Sequence, residues 1–216
     1  MSIGMILLVV ISLLILFGVL QRVLDRMALT DRQALTCVAA IFVGGWLPDI
    51  PLGSIYINIG GALIPIIISV YLFLHAGMAK ERIRTVVASA LTAAAVYAIS
   101  VFFPADPVSM PFDPQILYGL AGGVIAWILG RSRRGAFIAG ILGVTLADLI
   151  SGVSLWIHGL DQPIYLGGAG ALDAAILSGI TAVLMCELIG EIMERISRKK
   201  VNIPDKDSAA KGAIGT

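Results

Sequence analysis

Apolar residues in this chain run in long blocks broken by short polar stretches, with no single helical face holding them. A helix needs about 20 mostly apolar residues to cross a bilayer, within a range of about 17–25. Seven blocks reach or approach that length: Ile3–Leu20, Ala34–Leu47, Gly60–Gly77, Arg84–Phe103, Ile116–Gly130, Ala136–Ile157 and Ala171–Ile192. The second holds only 14 residues, which predicts a tilted or partly buried segment, or one extended into the following loop. The pattern therefore predicts an all-α fold, a polytopic bundle of seven transmembrane helices. One segment departs from it. Ile55-Tyr56-Ile57-Asn58-Ile59 alternates at the period of a strand. It predicts an interfacial loop that buries three isoleucines, or a short extended edge able to add a strand from a partner or an unfolded substrate. Ile57 and Asn58 enter here as candidate substrate contacts.

Composition agrees with the blocks. Of 216 residues, 58% are hydrophobic and 13% charged, and the mean hydropathy is +0.97. A soluble domain carries about 25% charged residues, so the surface of this chain is built for lipid. A net charge of +1 supplies no field for nucleic acid. The 15 Lys and Arg residues are sorted. Arg22, Arg26 and Arg32 follow the first block; Lys80, Arg82 and Arg84 lie between the third and fourth; Arg131, Arg133 and Arg134 lie between the fifth and sixth; the rest follow Arg195. The connections 48–59, 104–115 and 158–170 contain none. Cytoplasmic loops carry the Lys and Arg excess, so the N-terminus is expected outside and the C-terminus inside. The domain division is a membrane region over 1–194 and a basic, disordered cytoplasmic tail over 195–216 that touches anionic lipid. Positive charge follows the first block and none precedes it, which is the pattern of an anchor and not of a cleaved signal peptide. Cys37 and Cys186 fall inside blocks two and seven as core thiols, and no metal-ligand spacing or cofactor motif occurs.

Two stretches about 110 residues apart look alike. Trp46-Leu-Pro-Asp49-Ile-Pro51 leads to Ile55-Tyr56 and Gly60-Gly61-Ala62; Trp156 leads through Asp161 and Pro163 to Ile164-Tyr165 and Gly167-Gly168-Ala169. Blocks one to three would then match five to seven, a 3+1+3 parallel repeat of the kind found in small carriers. The alternative is that Trp, Pro, Tyr and Gly are the ordinary vocabulary of interfacial loops.

The candidate chemistry lies in acids within the apolar blocks. Asp148 sits in the sixth, on the order of 13 Å below its external end. An Asp at mid-helix costs about 2.5–3.5 kcal/mol on insertion scales, so it is expected to face protein or a water cavity. Asp173 opens the seventh block after Gly167-Gly168-Ala169-Gly170. If that glycine run enters the membrane extended, the two carboxylates come level, and two adjacent carboxylates in low dielectric share one proton. That pair is the aspartic-protease arrangement, a general base on water beside a protonated partner. The competing reading has Asp173 capping its helix. Asp173, Glu187 and Glu191 fall within about 40° of one helical face, which suggests an ion path. Alternatively Glu191 and Glu194 pair with Arg195 and Arg198, leaving Glu187 unexplained.

Two resemblances follow. Gly4-Met-Ile-Leu-Leu, Leu29-Thr-Asp-Arg-Gln33, Ile57-Asn-Ile-Gly-Gly-Ala-Leu-Ile-Pro65 and the glycine-rich approach to Asp173 resemble an uncharacterised family of bacterial and archaeal membrane proteins, DUF1614. That resemblance implies a multi-pass protein of the prokaryotic cytoplasmic (inner) membrane and no activity. The last two blocks are similar to the GxGD intramembrane aspartyl proteases: an Asp in one span, then Gly168-x-Gly170 shortly before an Asp in the next. There are three departures. Ala171 and Leu172 separate Gly170 from Asp173 where the motif has nothing between; Ala147 stands where a Tyr precedes the first Asp; and a Pro-Ala-Leu element has no counterpart in seven spans.

The leading expectation is a hydrolase acting inside the membrane on transmembrane or signal segments. Asp148 and Asp173 would be catalytic, with Gly167, Gly168, Gly170, Ile57 and Asn58 against substrate. The alternatives are a proton- or cation-coupled carrier of a small solute using the same acids with Glu187 and Glu191, and a non-catalytic membrane scaffold. Membrane lipid is the expected partner, and nothing in the sequence sets an oligomeric state.

Overall fold

The computed structural model describes residues 29–102, 114–130, 132–170 and 173–201, together with Val10. The first expected span, Ile3–Leu20, and residues 202–216 of the expected tail lie outside these, apart from Val10. The chain is mainly helical. Helix α1 is Asp31–Gly44, followed by strands β1 (Ile50–Leu52) and β2 (Ile55–Ile57). A π-helical turn at Ile59–Leu63 runs directly into α2 (Ile64–Leu74). Then come α3 (Ala79–Phe102), α4 (Pro114–Gly130), α5 (Arg133–Ile157), β3 (Ile164–Leu166) and α6 (Ala174–Val201).

Each apolar block from the second to the seventh coincides with a helix. Three of them are long and apolar enough to cross a membrane: Ala79–Phe102, Arg133–Ile157 and the first 24 residues of α6, Ala174–Ser197. The apolar stretches Ile59–Leu74 and Leu117–Leu129 are shorter. Helix starts are chemically marked. Thr30 and Gln33 form a reciprocal capping box for α1, and the Ser132 hydroxyl accepts from the Gly135 amide to cap α5. Helix α6 continues through Val201, well into the segment expected as a disordered tail. An i,i+4 Arg195–Glu191 pair supports its last turns, and no helix breaker occurs before Pro204.

Helix α5 is the centre of the bundle, packed against α3 on one side and α6 on another, while α6 also packs on α4. Small residues allow this. A Cβ on Gly140 would lie 2.7 Å from the Gly179 Cα, and one on Gly123 would lie 2.6 Å from the Met185 Cβ. Lipid supplies no hydrophobic drive between helices, so close backbone approach over small residues does the holding. Leu72, Ile138 and Ile141 fill the interior, and large apolar side chains cover the outside as well: Leu146, Ile150, Val153 and Ile157 form an exposed stripe on α5, and Leu184, Leu188, Ile192 and Ile196 form another on α6. Contiguous exposed apolar stripes of this kind mark a lipid or partner surface.

The loops separate by charge to the two ends of the bundle. At one end Arg82 donates to the Leu74 and Ala76 carbonyls, Arg134 donates to the His75 carbonyl, and Ser132 donates to Glu81. These cations satisfy the carbonyls left open at the end of α2. At the other end two of the connections without Lys or Arg, 48–59 and 158–170, meet in a three-stranded sheet of order β1-β2-β3.

Candidate functional site

The sheet joins the two look-alike stretches. Strand β2 runs antiparallel to β1 and parallel to β3, with Ile55 opposite Ile164, Tyr56 opposite Tyr165 and Ile57 opposite Leu166. The matching Ile-Tyr pairs are therefore cross-strand neighbours, and the two tyrosine rings stack at 5.0 Å. Strand β2, expected as an interfacial loop or a short extended edge, is the middle strand with both sides paired. The outer strand β1 has Pro51 at its centre, which has no N–H to offer an incoming strand.

Asn58 ends β2 and ties the knot below it. Its amide N–H donates to the Leu166 carbonyl at 2.9 Å. Its side-chain nitrogen donates to Asp49 and its side-chain oxygen accepts from the Gly61 amide, both at 2.8 Å. Asn58 is buried, so each polar contact replaces one that water would have made. Ile57 packs beside it against the buried cluster of Ala62, Ile164 and Leu166.

Glycines then bring backbone onto backbone. A Cβ on Gly61 would fall on the Gly167 carbonyl, and one on Gly167 would fall on the Gly61–Ala62 peptide. Gly167 and Gly170 both have positive φ, at 72° and 61°, a region that side-chain-bearing residues rarely adopt. Gly168, between them, is exposed. The run is thus a tight folded turn leading into α6.

At the end of that turn stands Asp173, 9% exposed. Its carboxylate accepts from the Ala175 amide at 2.9 Å, and the Ala169 backbone amide donates to the same carboxylate. Asp173 is therefore the N-cap of α6, held by amides from both sides of the turn. Asp148, half-buried on α5, approaches the start of α6 through its neighbours. The packing explains the approach. Ala147, next to Asp148, shares a buried cluster with Ala175, two residues after Asp173, together with Val96 and Val144. Tyr97 of α3 and Tyr118 of α4 pack against that cluster, so four helices meet at the residues that flank the two acids.

The remaining acids lie elsewhere on α6. Glu187 is paired with Arg133 at the start of α5, and Glu191 is paired with Arg195. The Arg133 partner could not be read from helical spacing, because 54 residues separate it from Glu187. The Asp49–Asn58 contact escaped sequence reasoning in the same way, although a polar residue closing an alternating apolar run was its available signal. Among the described residues, no group of three or more His, Cys, Asp or Glu could hold a metal ion.

A bundle with membrane-length apolar helices, closed at one end by a strand-and-glycine knot, with Asp173 buried and Asp148 half-buried, defines a helical protein of the multi-pass membrane class. The chain belongs to the DUF1614 family of proteins of unknown function, whose sequence model matches residues 51–185. The matched stretch begins in β1 and includes the sheet, the glycine turn, Asp148 and Asp173. No curated protein and no solved structure matches the chain.

Proposed function

We propose that the protein is a seven-span protein of the prokaryotic cytoplasmic membrane, N-terminus outside and C-terminus inside. We further propose that Asp148 and Asp173 form a hydrolytic pair acting on transmembrane or signal segments near the external side. The observation that carries the second reading is the four-helix junction at which Ala147, next to Asp148, packs with Ala174 and Ala175, next to Asp173. In the mechanism, one carboxylate draws a proton from a water that attacks the scissile carbonyl. The other, protonated, gives its proton to the carbonyl oxygen. The first then passes the proton taken from water to the leaving amine as the C–N bond breaks, and the second recovers a proton from a hydroxyl of the intermediate as the new carbonyl forms. The cap bond to Asp173 fixes its orientation, and Gly168 is exposed in the turn that leads to it.

The carrier reading is weaker on this geometry. A through-going acidic stripe needs Glu187 and Glu191 free to exchange ions, and both are engaged by arginines. The test of the hydrolase is cleavage of a labelled transmembrane peptide by purified protein in detergent. Asp148→Asn and Asp173→Asn keep the shape of each side chain, and Asn also caps helices. Both variants are expected to express normally and to lose cleavage by 10³-fold or more, the order seen when a member of a catalytic unit is removed. Undiminished cleavage in either one removes the pair from the mechanism.

A further inference from the structure

At the end of the bundle opposite the sheet, the first turns of α3 and α5 and the last turns of α4 enclose a cavity of about 360 Å³. Lys80 and Arg84 line it from successive turns of α3, and Arg133 lines it from α5. Two of the local charges are already committed. Arg133 pairs with Glu187, and Glu81, also on the wall, accepts from the Ser132 hydroxyl at 2.8 Å. Lys80 and Arg84 make no ion pair among the described residues. Three cations against two carboxylates leave a surplus of one positive charge. Two helix N-termini, those of α3 and α5, open on the same space and add the positive ends of their dipoles.

The other wall is apolar, formed by Ala126 and Leu129. On α3 itself, Val87 and Leu91, one and two turns past Arg84, are exposed apolar side chains. A singly positive mouth at the end of membrane-length helices, with an apolar exit along one of them, fits a monoanionic phosphodiester carrying acyl chains. We propose that this cavity is a binding site for the headgroup of an anionic phospholipid of the cytoplasmic leaflet. Basic pockets between helices on that side recognise such headgroups by the same chemistry. The proposal rests on the orientation given above and is independent of the Asp148–Asp173 pair. A wrong orientation would show in labelling of the loops, whereas a wrong pocket shows in lipid titration.

The experiment is titration of the purified full chain in neutral detergent with phosphatidylglycerol or phosphatidylcholine, with bound lipid counted by native mass spectrometry. Each basic residue facing an anionic headgroup contributes roughly fivefold in affinity, so two contribute about 25-fold. One tightly held phosphatidylglycerol is expected, at least about tenfold preferred over phosphatidylcholine. The double variant Lys80→Gln with Arg84→Gln is expected to lose that preference. Lys206→Gln with Lys211→Gln, which removes the same charge from the tail, is expected to keep it. Equal binding of both lipids, or an unchanged preference in Lys80→Gln/Arg84→Gln, overturns the proposal. Displacement of the lipid by an equal concentration of inorganic phosphate overturns it in favour of a site for soluble anions.

Discussion

Asn58 ties together the sheet end of the bundle, since it binds Asp49, Gly61 and Leu166 from one buried position. Replacing it with Ala strands the Gly61 amide and the Asp49 carboxylate. Loss of a cap and of a buried hydrogen bond is expected to destabilise the protein by about 2–3 kcal/mol, read as a lower midpoint of thermal or denaturant unfolding in detergent. An unchanged midpoint would mean that water reaches these groups. Asp173 is the second such residue, and its cap role was legible from position alone: an Asp after a glycine run and before an apolar block. What the sequence could not supply was the second amide, from Ala169, because that depends on how the glycines fold. The Arg133–Glu187 pair makes a third case. Either Arg133→Gln or Glu187→Gln leaves a partly buried charge alone and is expected to cost about 2–3 kcal/mol, discounted from the fully buried value for partial exposure. The double variant is expected to be more stable than the sum of the two losses. Strict additivity in that cycle would contradict the pair.

Among the elements, the helices were the easy part of the reading. Continuous apolar blocks mark helices whatever their neighbours, which is why blocks two to seven each fall on one, three of them long enough to cross a membrane. The sheet was only half legible. Alternation in 55–59 indicated extended backbone, but pairing with 164–166 joins residues more than 100 positions apart, and no local pattern encodes that. The likeness of the two Ile-Tyr stretches was the one available sign, and it now has a place: the two stretches lie side by side in register. Cysteines at Tyr56 and Tyr165, in a background with Cys37 and Cys186 replaced, are expected to form a disulfide on mild oxidation. Cysteines at Tyr56 and Ile164 point to opposite faces of the sheet and are expected to stay reduced. A preference for the second pair would shift the register by one residue and break the Tyr56–Tyr165 stack.

For the whole molecule, the charge sorting that suggested an orientation corresponds to two physically distinct ends, one braced by Arg82 and Arg134 and the other closed by the sheet. A cysteine at Ser54, in the turn between β1 and β2, is expected to react with a membrane-impermeant maleimide added to intact cells. One at Lys80 is expected to react only after permeabilisation. The reverse pattern would invert the protein and move the acid pair to the cytoplasmic side. The central claim concerns that pair acting as one unit. Members of a catalytic unit are grossly non-additive, so removing both does little more harm than removing one. The direct measurement is the cleavage rate of one transmembrane peptide by the wild type, Asp148→Asn, Asp173→Asn and the double variant. The account predicts cleavage by the wild type and the same residual rate in all three variants. Losses that multiply in the double variant, or a wild type that leaves the peptide intact, would contradict it.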